Sequence, residues 1–175
     1  DIHGLVYEGR TEDMNPHKAL FAQKTDKRTL DEVIDGADMF LGLSGADILK
    51  PEMVQRMTSK PILFALANPN PEIRPDAARS VAPDAIIATG RSDVPNQVNN
   101  VLFFPFIFRG ALDVAASEIN DEMEIACVTA IAELARQTSS AETAEVYGGE
   151  QLKFGKSYLI PKPFDNRLIN VVARA

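Results

Sequence analysis

Three short runs of almost unbroken apolar side chains, Met39 to Leu43, Ile62 to Ala67 and Ala85 to Ala88, constrain this chain more than any other feature. Each stops abruptly at polar or turn-forming residues: Ser44-Gly45-Ala46-Asp47, Asn68-Pro69-Asn70-Pro71-Glu72 and Thr89-Gly90. A strand with one wet face alternates apolar and polar residues, whereas a strand covered on both faces does not. Between the runs lie segments with helical spacing, such as Met53, Val54 and Met57 after Pro51. Proline suits a first helical turn, where its missing N–H costs little. Apolar strands alternating with helices argue for an α/β fold, a parallel sheet with helices on both faces. Ile2 to Tyr7 reads as one more short strand, making four.

Other element boundaries follow from local chemistry. Asn15-Pro16 opens a helix toward Ala22, and Thr29 with Glu32 forms a capping box ahead of Leu30, Val33 and Ile34. Gly36 ends that helix. Asp76 to Val81 is a short helix at best. Gln97 to Ser117 is helical and nearly all apolar, with a kink or restart at Pro105. Asn120 caps the next helix, whose inner face is Met123, Ala126, Cys127, Ala130, Ile131 and Leu134. Gln137 to Glu145 reads as loosely held, Tyr158 to Phe164 as extended, and Asp165 as the cap of a final short helix.

Bulk properties narrow the function classes. The 175 residues suit one domain with a real core. A formal net charge of -7 argues against a nucleic-acid backbone as partner. One cysteine, Cys127, excludes an internal disulfide framework and reads as an inert packing residue. No apolar run is long enough to span a bilayer, and no secretory signal is visible, so a cytoplasmic setting is the default expectation. His3 and His17 lack metal-ligand spacing. The chain begins with Asp1 rather than Met, which points to a natural start elsewhere.

In parallel sheets, ligands bind off the carboxyl ends of the strands. That rule selects Ser44 to Asp47, Asn68 to Glu72 and Thr89 to Asn100. The last of these carries Asn96, Gln97, Asn99 and Asn100 ahead of a buried segment. Carboxamides both donate and accept, and beside a helix start they suit a small carboxylate ligand. The competing reading is that Asn96 caps the helix, Asn99 and Asn100 satisfy nearby backbone, and Asn68 closes an Asx-turn.

Ala67-Asn68-Pro69 with Pro71-Glu72, followed by Asn99-Asn100 before Phe104-Pro105, resembles the cofactor domain of malic enzymes. The likeness includes Gly4 to Arg10, Ala22 to Thr25, Lys50 to Val54, Ile86 to Asp93, Phe108 to Asp113 and Tyr158 to Asp165. Each fragment is weak alone; their order and spacing together are strong. The style is that of the bacterial NADP-linked enzymes. The resemblance implies a Rossmann-like sheet, incomplete at its N-terminal side, with residues 1–175 forming a partial NAD(P)-binding domain and its C-terminal helices.

It further implies oxidative decarboxylation of L-malate to pyruvate with reduction of NADP, or of NAD, assisted by Mg or Mn, in an enzyme that self-associates. Asn68, Asn99 and Asn100 then bind substrate, with Asn68 and Asn100 also at the nicotinamide end of the cofactor. Ser44 and Gly45 lie where backbone passes close to the cofactor. Asp1 falls where an acidic residue meets the adenosine ribose, and Lys18, with His17 and Lys24 nearby, meets the extra phosphate of NADP. Arg91 and Asp93 shape their loop.

No G-x-G-x-x-G occurs in the sequence; it is expected about twenty residues before the ribose-binding acid. The family's catalytic lysine and tyrosine and its acidic metal ligands are expected upstream as well, so these residues alone should be inactive. An open sheet without its first strand should leave apolar surface uncovered. Two alternatives stay open: the cofactor domain of an amino-acid dehydrogenase, and a nucleotide-sensing module without chemistry.

Overall fold

The computed structural model describes residues 1–149 and 151–175, which fall into two units, Asp1–Ile86 and Ile87–Ala175. Three strands follow the three apolar runs: β1 (Met39–Gly42), β2 (Ile62–Ala65) and β3 (Ile86–Thr89). They form one parallel sheet in the order β1-β2-β3. Met39 pairs with Ile62 and Gly42 with Ala65, so β1 and β2 run in step.

In the first unit, β2 supplies the core. Leu63 and Ala65 are fully buried and join Ile34, Leu49, Val54 and Ile73. Four short helices surround these strands: α1 (Pro16–Ala19), α2 (Leu30–Val33), α3 (Pro51–Gln55) and α4 (Pro75–Val81). Their starts follow the expected chemistry. Asn15 Oδ1 accepts from Lys18 N at 2.8 Å, and Thr29 and Glu32 close a full capping box. Gly36 sits at φ 71° just past α2, a conformation in which a side chain would be strained. Strand β1 is half wet: Phe40 is buried, but Met39 and Leu41 are 46% and 55% exposed. Ile2, Leu20, Phe21 and Leu43, outside the strands, are also exposed.

The fourth strand does not form. Ile2 to Tyr7 turns at its start, and among the described residues its ladder contact is a single bridge from Tyr7 to Gln23. The segment closes round the Arg10 side chain. Its guanidinium is nearly buried and donates to both Asp1 carboxylate oxygens, at 2.8 and 2.9 Å, and to Leu5 O at 3.0 Å. Gly4 at φ 92° lies against the Arg28 carbonyl, where any side chain would collide.

The second unit is helical. A 3-10 turn (Asn100–Leu102) leads into α5 (Phe104–Asp113), so Pro105 marks a restart in the first turn rather than a kink. Next come α6 (Asp121–Arg136), capped by Asn120 as expected, α7 (Ala141–Val146) and α8 (Leu168–Val172). Leu102, Ile107, Cys127, Leu134, Leu168 and Val172 make the core. Cys127 is buried, and burial raises its thiol pKa, which fits an inert packing role.

Three local expectations need correction in this unit. Gln137 to Glu145 is not loose: Ser140 caps α7, and Thr143 and Ala144 are buried. Tyr158 to Phe164 is not extended throughout: after one bridge, Gly155 to Tyr158, it bends at Leu159 and Ile160 and ends in a turn. Asp165 does not cap α8, whose N-cap is Arg167. Its buried carboxylate accepts from Arg167 N at 3.1 Å, just ahead of the helix, and takes a two-pronged contact from the Arg167 guanidinium, at 2.9 and 2.6 Å. Burial pushes the Asp165 carboxyl up, but the Arg167 hydrogen bonds and charge outweigh it and hold the group below its ordinary range.

Candidate functional site

In the first unit, the loops that leave β1 and β2 are laced together by one side chain. Glu72 is fully buried. Its carboxyl group accepts from Ser44 N at 2.8 Å, from Ser44 Oγ at 3.4 Å and from Ala67 N at 3.1 Å. Two main-chain bonds add to it: Asp47 N to Pro71 O at 3.2 Å and Leu49 N to Glu72 O at 3.0 Å. Gly42, the last residue of β1, leaves room for that carboxyl. A Cβ there would stand 2.6 Å from Glu72 Oε1. Glu72 was legible only as part of a loop, and no periodicity marks it. The glycine inside an apolar strand was the available signal of close approach.

Ser44, Gly45 and Asn68 ride on this framework. Asn68 follows the pinned Ala67, begins a cis peptide to Pro69 and is exposed. Among the described residues no group hydrogen-bonds its carboxamide, so the Asx-turn does not form. Gly45 has ordinary φ, and a Cβ there would meet only Ile48 Cδ1 at 3.7 Å. The fold itself does not demand glycine at that point.

A groove of about 820 Å³ runs through this unit, and its lining includes Asp1, Phe21, Leu41, Ser44, Gly45 and Ile48. It gathers three residues that the sequence marked for the cofactor: Asp1, Ser44 and Gly45. Lys18 is not among its lining residues, but its Nζ lies 2.9 Å from Asp1 Oδ2 and 2.5 Å from Asp13 Oδ2. The Lys18 ammonium and its own hydrogen bonds hold the exposed Asp13 carboxyl below its usual range. His17 and Lys24 stand exposed.

In the second unit, Asn96 holds the loop after β3. It is not a helix cap. It is buried, at φ 58°, and its Nδ2 donates to Ile87 O at 2.9 Å and to Lys156 O at 2.7 Å. Its Oδ1 accepts from Leu159 N at 2.8 Å. All three bonding directions of the amide in this site go to main chain, and asparagine is one of the few side chains that tolerate positive φ. Thr89 N donates to Asn96 O at 3.3 Å, and Arg91 grips Asp93 at 2.8 and 2.6 Å, which stiffens the loop from within. The two neighbouring asparagines then differ. Asn99 Oδ1 accepts from Val101 N at 3.0 Å and caps the 3-10 turn. The exposed Asn100 carboxamide has no hydrogen-bond partner among the described residues.

Among the described residues no three His, Cys, Asp or Glu side chains cluster so as to hold a metal ion. The donor set here does not fit a divalent cation, and no chemical step is assigned to one in this chain. His3 lies 3.4 Å from Glu12 in an exposed pair. No helix among the described residues is long and apolar enough to cross a membrane.

A three-stranded parallel sheet with helices around it places the chain in the α/β class. The chain belongs to the malic enzyme family: the family described as "Malic enzyme, NAD binding domain" matches residues 1–149. It is 59% identical over its whole length to the NAD-dependent malic enzyme of Rhizobium meliloti (strain 1021) and covers 23% of that protein. Identity is also 59% to the NADP-dependent malic enzyme of Salmonella typhimurium, again with all of this chain and 23% of the relative covered. Among solved structures, the NAD-dependent malic enzyme of Thermotoga maritima matches 98% of this chain and 42% of its own, with a TM-score of 0.78 and 35% identity. The chain thus spans about a quarter of the length of the full-length relatives named here.

Proposed function

We propose that this chain supplies the cofactor-domain share of the site in a longer enzyme that oxidises L-malate, with NADP or NAD as acceptor, and releases pyruvate and CO2. The observation that carries the reading is the state of two carboxamides. Asn68 lies on the loop after β2 and Asn100 opens the 3-10 turn after β3, and neither carboxamide has a hydrogen-bond partner among the described residues. Exposed amides that the chain does not use for itself are free for a ligand's carboxylate or amide. Asn99, engaged with Val101 N, has the weaker claim to substrate.

The groove supports nucleotide binding. Asp1 lines it, its carboxylate already held by Arg10 and Lys18, so a ribose hydroxyl would have to displace one of those contacts, and Gly45 leaves open space beside the Ser44 turn. When bound, the nicotinamide ring accepts the hydride. The chain's residues would orient substrate and cofactor for that transfer; the general base, general acid and metal ligands come from other parts of the longer protein. Family membership favours this over an amino-acid dehydrogenase. A nucleotide-sensing module would bind NAD(P) without turnover.

Asn68→Ala and Asn100→Ala in the full-length protein test the assignment. A hydrogen bond to a charged group contributes about 1.5–3 kcal/mol. Each variant should therefore lose about 10–100-fold in kcat/KM for malate, at the usual tenfold per ~1.4 kcal/mol. Unchanged kcat/KM in both would remove these residues from the site.

A further inference from the structure

We infer that Glu72 is a positioning residue for the nucleotide and substrate loops, and that Gly42 exists to admit it. The inference rests on the proposed function for what the loops do, but its geometry stands alone. One buried carboxyl group holds the main chain at Ser44, beside the groove, and at Ala67, the residue before Asn68. This side chain ties the two loops at Ser44 and Ala67, beside the main-chain bonds from Leu66 N to Gly42 O, Asp47 N to Pro71 O and Leu49 N to Glu72 O. With Ser44 N turned to Glu72 and Asp47 N to Pro71 O, the N–H groups of Gly45 and Ala46 are left in the turn without an acceptor among the described residues. The staple decides which amides of that turn are free for a ligand.

The chemistry needs a carboxyl group at this place. Both oxygens face donors, so an amide of the same shape satisfies one loop and sets an N–H₂ against the N–H of the other. Aspartate is one methylene too short to span both. The space is equally specific: at position 42 any Cβ would crowd Glu72 Oε1 at 2.6 Å, and the end of the Phe40 ring at 2.7 Å. Gly42 is thus bound to Glu72 by contact rather than by turn geometry, since its φ is not positive.

The test uses the full-length protein with Glu72→Gln, Gly42→Ala, Glu72→Ala and the Glu72→Ala/Gly42→Ala double variant. NADPH and NADH binding is followed by nucleotide fluorescence, kinetics by malate-dependent reduction, and stability by Tm. Glu72→Gln should weaken nucleotide binding about tenfold or more and lower kcat, because small displacements of positioning groups cost up to about 100-fold. Gly42→Ala should show the same pattern in the wild-type background and add little once Glu72 is alanine. A lower Tm with unchanged nucleotide affinity and unchanged KM in the folded fraction would reduce Glu72 to a structural role and overturn the inference. Fully additive effects of Gly42→Ala and Glu72→Ala would overturn the pairing. Wild-type protein that binds nucleotide but shows no malate-dependent reduction would sink the proposed reaction while the binding readouts still judge Glu72. Wild-type protein that binds neither nucleotide overturns both.

Discussion

A phosphate approaching Lys18 must compete with two carboxylates, since Nζ already sits between Asp1 and Asp13. All three side chains are at least partly open to solvent, so the competition takes place in a screened environment where such pairs contribute little, about 0–1 kcal/mol. A dianionic 2′-phosphate can therefore draw Lys18 away, at small cost. We expect Lys18→Ala to raise KM for NADP several-fold and leave KM for NAD nearly unchanged; equal changes for both would confine Lys18 to its pairing with Asp1 and Asp13. Asp165 belongs to a drier setting. Its folded pKa lies below the unfolded value of about 3.9. The stability it contributes is therefore present above that unfolded value and lost as pH falls through the lower folded one. Asp165→Asn should destabilise the protein by on the order of 3 kcal/mol at neutral pH, the cost of breaking a largely buried pair. The gap to wild type in denaturant titrations should narrow below about pH 4. A gap that stays constant down to pH 2 would refute the ionic account.

The contrasting fates of single elements show what kind of information a sequence carries. Asn15, Thr29 with Glu32 and Asn120 start helices where their local chemistry says they should, because a cap and its donor lie within four residues of each other, and Pro51 does so without a side-chain cap, at a first-turn position that needs no N–H. Ile2 to Tyr7 has strand-like composition but no strand; it closes round the Arg10 side chain, a contact that composition does not show. Asn96 misled for the same reason: its partners are Ile87, Lys156 and Leu159, and nothing near it in sequence reveals them. Of the candidate site, strand-end position made Asn68 and Ser44 legible, whereas the Glu72 staple depends on a contact across 28 residues. One element contact gives a clean test. A Cβ on Gly110 of α5 would come within 2.6 Å of the Ala173 carbonyl just after α8. Gly110→Ala should overpack that crossing and cost about 1–3 kcal/mol in spite of alanine's better helix propensity. A higher Tm for this variant would show that the two helices separate freely.

At the level of the whole molecule, the chain covers about a quarter of its named full-length relatives and 42% of a solved neighbour, and its described residues hold no metal-binding cluster. Under the proposed function, the amides, groove and stapled loops would form one share of the site. The near-equal likeness to NAD- and NADP-dependent relatives leaves coenzyme choice to local residues such as Lys18. The most direct test of the central claim is nucleotide reduction by the full-length protein, followed at 340 nm with malate and Mn²⁺, with pyruvate and CO2 measured alongside. The account predicts that NADPH or NADH, pyruvate and CO2 form in equal amounts, and that all three stop when the metal is chelated. Nucleotide binding with no malate-dependent reduction, or reduction that yields oxaloacetate without CO2, would contradict it.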